Sequence, residues 1–159
     1  MKLLNRATKF YSPVDGITIS LEDVNDEVFS KKMIGDGIAI IPSADEIRAP
    51  FDGEIMFITD SRHAFGLKSI AGLEILVHVG IDTVAEKGKG FIFFKKVGDS
   101  LKKGDLISKF ERDYFLAKNY DLTTIVLIPK ESAFRVEKAF IGILCQASKT
   151  VIIKLRKSQ

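Results

Sequence analysis

Short apolar runs, separated by turns that contain glycine, proline or aspartate, dominate the hydrophobic pattern of this chain. Valine, isoleucine and phenylalanine are frequent in these runs, and such residues favour β-strands. The predicted strands are residues 17–19, 38–41, 54–58, 64–67, 73–79, 91–97, 123–128 and 150–155. Residues 25–33 and 112–120 indicate short helices. The pattern predicts an all-β fold, an antiparallel β-sandwich with a few short helices.

One turn motif occurs twice along the chain. The pattern Pro-x-Asp-Gly ends at Gly16 and again at Gly53, and a predicted strand follows each copy. Proline, aspartate and glycine each favour turns, so the repeat suggests a sandwich built from two related halves. A different turn, residues 98–105 with the sequence GDSLKKGD, is typical of barrel-sandwich domains such as lipoyl and biotinyl carriers. The expected sandwich is therefore of the barrel-sandwich hybrid type.

The chain has two histidines, and both flank one predicted β-hairpin. If the hairpin loop has two or four residues and is centred between Ile70 and Ala71, His63 and His78 stand directly opposite each other on one face. Directly opposed Cβ atoms lie about 4.5–5.5 Å apart, so the two imidazoles can share one site. A register shift of one residue would instead place the rings on opposite faces.

Length and composition indicate one soluble domain. At 159 residues the chain is long enough to bury a core without disulfides or a structural metal. Residues 1–10 are expected to form a flexible basic tail, and residues 11–159 the domain. If the tail is helical, Leu3, Ala7 and Phe10 lie on one face, which would allow a weak contact with a membrane surface.

Charge and cysteine content argue against several classes of protein. The formal charge is +3, and the basic residues are scattered, so nucleic-acid binding is not indicated. The longest apolar runs have about seven residues, against roughly 18–20 for a membrane span, and no export signal is visible. The single cysteine, Cys145, permits no internal disulfide. These features predict a cytoplasmic protein without stable membrane insertion.

Paired histidines serve three kinds of chemistry. Zinc sites normally need three or four ligands, and the sequence offers no third histidine and no spacing such as His-x-His. Hydrolysis by acid/base catalysis would call for a nucleophile motif such as Gly-x-Ser-x-Gly, which is absent. Nucleophilic phosphoryl transfer needs no more than the pair. A neutral imidazole can accept a phosphoryl group while the second imidazole hydrogen-bonds its oxygens.

The segments around the histidines closely resemble the glucose-type enzyme IIA proteins of the bacterial sugar phosphotransferase system. The matching segments are DVNDEVFSKK (23–32), GDGIAI (35–40), APFDG (49–53), HAF (63–65) and EILVHVGIDTV (74–84). The resemblance extends from residue 11 to residue 110 and continues more loosely to the end. It implies a β-sandwich with a shallow active-site depression.

The resemblance also implies a function. Proteins of that family accept a phosphoryl group from the phosphohistidine of the small carrier HPr and pass it to a cysteine on the EIIB domain of a sugar permease. By the family motifs, His78 is the phosphoryl acceptor and His63 stabilises the phosphoryl group. Ser61 stands where the family often has a threonine that orients this second histidine, and it keeps the hydroxyl.

The same resemblance implies a surface that binds these partners. Phe29 matches an apolar residue at the rim of the site, and Leu76 is expected to lie on the same docking face. Asp26 and Asp82 match acidic residues near the site, which in the family can face arginines of HPr.

Two places depart from the family pattern. An aromatic residue often precedes the threonine-containing segment, and this chain has Thr59 there, which makes the expected rim less apolar. The family's Gly-x-Val-x-x-Gly turn before the final strand is replaced by GILCQA at residues 142–147. The second change puts the local turn geometry in question.

Two other functions stay open at this point. A regulatory module of the same fold would use its phosphorylation state as a signal to transporters or kinases. A zinc peptidase on a related scaffold lacks the ligands it would need. No cofactor is expected to be required, although zinc could occupy His63 and His78 weakly or together with a partner's carboxylate. The protein is expected to be a monomer.

Overall fold

A computed structural model describes residues 7–158. Strands form most of the regular structure in this range, joined by short helices. The strands are β1 (Thr8–Tyr11), β2 (Gly16–Ile19), β3 (Gly35–Pro42), β4 (Glu46–Arg48), β5 (Gly53–Ile58), β6 (Ala64–Ser69), β7 (Glu74–Val79), β8 (Phe91–Phe93), β9 (Ser100–Leu101), β10 (Leu106–Phe110), β11 (Thr124–Pro129), β12 (Phe134–Ala139), β13 (Leu144–Cys145) and β14 (Val151–Lys157). The helices are α1 (Glu27–Ser30) and α2 (Arg112–Ala117), with 3₁₀ segments at Leu21–Asp23 and Thr83–Glu86.

The strands of the described range assemble into three sheets. The largest has eight strands in the order β13-β2-β3-β11-β7-β6-β5-β9. The two smaller sheets have the orders β1-β14-β12 and β4-β10-β8. The strand pairings between residues 7 and 158 are antiparallel. This confirms the predicted antiparallel β-sandwich with a few short helices.

Two clusters of buried side chains lie on opposite faces of the eight-stranded sheet. Successive residues of β7 show the alternation, because Val77 and Val79 belong to the large cluster whereas Leu76 packs against the small one. The inner faces of the smaller sheets complete the large cluster, with Ile153 of β14 and Phe110 of β10. The connection between β2 and β3 covers the small cluster. The site described below lies on that second face.

The two Pro-x-Asp-Gly turns precede β2 and β5, which are each next to an edge strand of the large sheet. Asp15 accepts a hydrogen bond from the backbone N–H of Ala147 at 2.7 Å, and Asp52 accepts one from Lys103 at 2.8 Å. Asp15 thereby holds the turn after β13, the edge strand that pairs with β2. Asp52 holds the turn after β9, the edge strand that pairs with β5. The repeat in sequence is therefore also a repeat in structure.

The turn after β13 shares one backbone feature with the turn after β9. Ser148 lies in the left-handed region at φ 64°, as Gly104 does after β9 at φ 95°. That conformation favours glycine, but two hydrogen bonds hold the serine in it. Its N–H donates to the carbonyl of Ser12 at 2.7 Å, and its hydroxyl donates to the carbonyl of Ala49 at 3.0 Å. These two hydrogen bonds hold the turn that follows residues 142–147 against Ser12 and Ala49.

The folded part of the chain begins earlier than expected. Residues 8–10 of the expected flexible tail belong to strand β1, which pairs with β14. Phe10 is only 1% exposed and belongs to the large cluster. Residues 1–6 of the expected tail lie outside the described residues.

The helices are shorter than the pattern predicted. The segment 25–33 contains only the single turn α1, because the backbone enters the left-handed region at Lys32. The segment 112–120 contains α2, which ends before Asn119, another left-handed residue. No helix among residues 7–158 is long and apolar enough to cross a bilayer.

Candidate functional site

Strands β6 and β7 form the histidine hairpin, and their register differs by one residue from the expectation. Ala64, not His63, pairs with His78. Ser69 and Leu73 close a loop of residues 70–72, and the last of these has φ 90°. A left-handed residue at the end of such a loop is typical of a three-residue hairpin. The expected direct opposition of the histidines assumed a two- or four-residue loop and is therefore wrong.

The two imidazole rings nevertheless meet. The ring centroids of His63 and His78 are 4.9 Å apart, and the ring planes are 82° from parallel. His63 precedes β6, where the backbone leaves strand geometry, because Arg62 has φ 55°. The register of β5 also shifts between Ile55 and Phe57. Such irregularities re-aim side chains, so the turn rather than the strand ladder brings the rings together.

A hydroxyl group contacts His63, and it belongs to Thr59 rather than to Ser61. Oγ1 of Thr59 lies 3.4 Å from Nδ1 of His63. The same oxygen donates to the carbonyl of Ala64 at 3.0 Å and accepts from its N–H at 3.3 Å. Within residues 7–158 the side chain of Ser61 makes no hydrogen bond. The expected orienting role of Ser61 is corrected, because the connection 59–63 folds back so that its first residue reaches the histidine.

His78 lies in an apolar environment. It pairs with Ile125 of β11, which pairs in turn with Ala39 of β3. The ring of Phe29 meets the ring of His78 at a centroid distance of 4.9 Å and an angle of 61°. Burial and, to a smaller extent, the neighbouring His63 lower the pKa of His78 from its usual 6.5 to about 4.

Both imidazoles are therefore neutral near pH 7. Burial also lowers the pKa of His63. Nδ1 of His78 is buried and makes no hydrogen bond of ordinary geometry, although the backbone of Gly80 lies close enough to raise the pKa. Nε2 of His78, unlike Nδ1, is not a buried atom without a hydrogen-bond partner. A neutral ring keeps one nitrogen lone pair, which is what a nucleophile requires.

Two carboxylates lie near the pair, each at the start of a short helical segment. Asp26 caps α1, and its carboxylate accepts a hydrogen bond from the N–H of Val28 at 2.9 Å. Asp82 precedes the 3₁₀ segment Thr83–Glu86 and makes no capping hydrogen bond. Both carboxylates raise the pKa of His78, so both act on it electrostatically. The structure therefore brings the two expected acidic residues to the histidine pair.

The two apolar residues expected to bind partners are less accessible than the sequence suggested. Phe29 is 5% exposed, and Leu76 is half-buried against the small cluster. The two segments that carry the carboxylates expose other apolar side chains, those of Val28, Met33 and Val84. Phe29 therefore forms a wall beside His78 rather than a rim.

Backbone requirements explain much of the motif that follows His78. Gly80 has φ 81°, and a Cβ at this position would lie 2.4 Å from Cγ2 of Thr83. The buried hydroxyl of Thr83 donates to the carbonyl of Val79 at 2.6 Å. Glycine is thus required for both its conformation and its size. The motif combines one chemically active side chain with residues that fix the turn beside it.

Glu86 fixes the far end of this turn, and the sequence contained no signal for it. Its carboxylate accepts hydrogen bonds from Lys118 at 2.7 Å, Tyr114 at 2.5 Å and Tyr120 at 2.8 Å. These donors, Lys118 foremost, lower the pKa of Glu86 to about 2. The three donors lie in or just after α2, so the cluster ties the segment after Asp82 to that helix.

The histidine pair offers only two metal ligands. Across residues 7–158, no group of three or more histidine, cysteine, aspartate and glutamate side chains is arranged to hold a metal ion. Zinc sites normally have three or four protein ligands. A metal at this pair would therefore need a ligand from another molecule.

Comparisons with known proteins agree with this geometry. A family model described as phosphoenolpyruvate-dependent sugar phosphotransferase system, EIIA 1, matches residues 8–134. Among solved structures, glucose permease IIA from Mycoplasma capricolum is 31% identical, with a TM-score of 0.83. That match covers 97% of this chain and 99% of the other. The residues matched by the family model include both histidines and both Pro-x-Asp-Gly turns.

Proposed function

The chain belongs to the EIIA 1 family of the phosphoenolpyruvate-dependent sugar phosphotransferase system, and on that premise we propose that His78 carries the phosphoryl group. The protein is a phosphocarrier of this system. The observation that supports the residue assignment is the pairing of His63 with His78, whose ring centroids are 4.9 Å apart.

The nucleophile in this proposal is Nε2 of His78, because Nδ1 is buried. Its lone pair attacks phosphorus, and a new N–P bond forms while the bond to the donor's imidazole breaks. The electrons of the broken bond return to the donor ring. The phosphoryl group thus moves between two imidazoles with no other change in bonding, so the protein's contribution is positioning and charge stabilisation.

His63 supplies the charge stabilisation in this proposal. Its Nε2–H donates to a phosphoryl oxygen, which requires Nδ1 to act as the acceptor from the hydroxyl of Thr59. That hydroxyl has a single proton, and in the structure it lies 3.0 Å from the carbonyl of Ala64 and 3.4 Å from Nδ1. Thr59 therefore changes its partner when the phosphoryl group arrives.

The partners in this proposal are HPr as donor and the EIIB domain of a sugar permease as acceptor, through its cysteine. Asp26 and Asp82 would face basic residues of these partners, with Val28, Met33 and Val84 providing apolar contact around them. The protein would work as a monomer in the cytoplasm. The comparisons give no support to the alternative of a purely regulatory module.

Phosphorylation by purified phospho-HPr tests the assignment. His78→Gln should accept no phosphate, whereas His63→Gln should accept it and pass it on slowly. Lys102→Gln, an exposed change in the turn after β9, should behave as the wild type. Intact-mass and peptide-mass measurements locate the phosphate. Phosphate on His63 in the wild-type protein would reverse the two roles.

Zinc binding follows from the same pair. The isolated protein should bind zinc weakly through His63 and His78, and a partner's carboxylate would strengthen the site. Phosphorylation of His78 removes one ligand and should abolish binding. Calorimetric titration of both forms tests this, and tight binding that survives His78→Gln would place the metal elsewhere.

A further inference from the structure

We propose that the outer face of the small sheet β1-β14-β12 binds an anionic lipid surface. This face, called the basic face below, presents cations from all three strands. They are Lys9 of β1, Lys154 and Arg156 of β14, and Arg135 and Lys138 of β12. All five are exposed.

The cations stand in rows across the sheet. Lys9 pairs with Lys154, which pairs on its other side with Lys138. Arg135 pairs with Arg156 in the next row. Like charges directly opposite each other in a sheet are destabilising, so this arrangement works against folding. An anionic surface bound to the face would remove that repulsion.

Some of these charges have partners among residues 7–158. The register of β12 shifts between Val136 and Lys138, and Glu137 at that irregularity forms an ion pair of 2.8 Å with Arg156. Lys138 and Lys154 both lie over the ring of Phe140, at 5.1 and 5.9 Å from its centroid. The aromatic ring attracts the ammonium groups but does not neutralise them.

The charge of the chain is concentrated here. Five cations and one carboxylate share the face, whereas the whole chain has a formal charge of +3. The face therefore carries a formal charge of +4, and the rest of the chain sums to −1. Scattered positions in the sequence become one surface only because the antiparallel pairing aligns them.

The basic face and the histidine pair lie on opposite sides of the molecule. The inner side of the small sheet, with Ile153 and Leu155, packs into the large cluster. His78 lies beyond that cluster, on the other face of the eight-stranded sheet, where Phe29 and the small cluster cover it. A protein bound through its basic face would therefore keep its phosphoryl-transfer site open to partners.

A lipid surface fits this face better than a nucleic acid does. Single-stranded nucleic acids stack their bases on exposed aromatic side chains, and the face has none, because Phe134 is buried and Phe140 lies half-buried under two lysines. Anionic lipids attract basic segments without requiring a groove or a stacking platform.

Co-sedimentation of the full-length protein with vesicles tests the proposal. Vesicles of phosphatidylglycerol and phosphatidylcholine should bind the wild type at low salt, and pure phosphatidylcholine should not. The double variant Lys138→Gln/Lys154→Gln should lose about tenfold in affinity or more. Lys96→Gln/Lys102→Gln, which removes two exposed lysines from another surface, should bind as the wild type does. Phosphorylation by phospho-HPr in solution should be unchanged in both variants.

Four outcomes would overturn the proposal. Wild-type protein that does not prefer the anionic vesicles rejects it. Equal losses in the two double variants would show an effect of net charge alone. Loss of binding in Lys2→Gln/Arg6→Gln, with the basic-face variant unaffected, would assign binding to the N-terminal segment. Tighter binding to a DNA duplex than to the vesicles would make the face a nucleic-acid surface. Circular dichroism checks that each variant is folded.

Discussion

The hairpins β2–β3 and β5–β6 are built alike at one end and differently at the other. Each begins with a Pro-x-Asp-Gly turn whose aspartate accepts a hydrogen bond from the turn after its edge strand. Together they flank the central strands β11 and β7. At their other ends the connections diverge. Residues 59–63 form a tight turn, whereas residues 20–34 contain a 3₁₀ segment and α1.

Both connections converge on His78. The short one contributes His63 and Thr59, which are polar and can hydrogen-bond. The long one contributes Phe29, which is buried against the same imidazole. The end that the two hairpins have in common thus maintains the sheet. The ends that differ supply two walls beside His78, one polar and one apolar. Because the walls come from separate segments, each can be changed without the other.

The largest effect is expected from the polar wall. His63→Gln removes the donor to the phosphoryl oxygens, and loss of one such donor typically lowers the rate about 100-fold or more. The measurement is the single-turnover rate of transfer from the phosphorylated protein to the EIIB domain. Stability to urea should be little changed, because His63 is only half-buried. A rate within a factor of two of wild type would remove His63 from the mechanism.

Loss of the apolar wall should affect stability and the pKa of His78. Phe29→Ala should lower the free energy of unfolding by about 3 kcal/mol, because it empties space in the small cluster. It also admits water to His78, so the pKa of that ring should rise from about 4 toward 6.5. Urea denaturation and NMR titration of the ring measure the two effects. Phe29→Leu is the control, since it keeps most of the volume. An unchanged pKa in Phe29→Ala would show that Phe29 does not desolvate the ring.

His78 should also make stability depend on pH. Its pKa is about 4 in the folded protein and 6.5 in the unfolded chain, so the unfolded chain takes up the proton first. Stability from this source is complete above about pH 7 and falls as the pH decreases toward 4, by up to about 3 kcal/mol. Urea denaturation at pH 7.5 and 4.5 should show a smaller loss for His78→Gln than for wild type. Equal losses would mean that the ring is not desolvated.

The strands and the repeat could be predicted because apolar runs and turn residues are local features of the sequence. The pairing of the histidines could not be derived correctly. The loop has three residues, 70–72, rather than two or four, which shifts the register by one, and Arg62 adopts a left-handed conformation. Similarity of motifs pointed to Ser61, but the backbone of the short connection presents Thr59 instead. Register and turn geometry, unlike strand positions, depend on single backbone conformations that residue type does not determine.

A smaller effect separates the two hydroxyl residues of the short connection. Thr59→Val keeps the shape of the side chain and removes the contact with His63 Nδ1, so transfer to EIIB should slow about fivefold, the effect of about 1 kcal/mol from one hydrogen bond. Ser61→Ala is the matched control and should leave the rate unchanged. The single-turnover assay used for His63→Gln measures both. A slow Ser61→Ala with a normal Thr59→Val would restore the role that family resemblance assigned to Ser61.

The smallest effect concerns the repeated turns, where the two halves should respond alike. Asp15→Ala and Asp52→Ala each remove one hydrogen bond to a backbone N–H, from Ala147 and from Lys103 respectively. Each should lower the free energy of unfolding by about 1 kcal/mol, because a typical intramolecular hydrogen bond stabilises a protein by roughly that amount. Phosphoryl transfer should be unaffected in both, since the turns lie at the opposite ends of the hairpins from His78. Urea denaturation measures the losses. Unequal losses, or a slower transfer in one variant, would show that the two halves have diverged at the turns as well as at the connections.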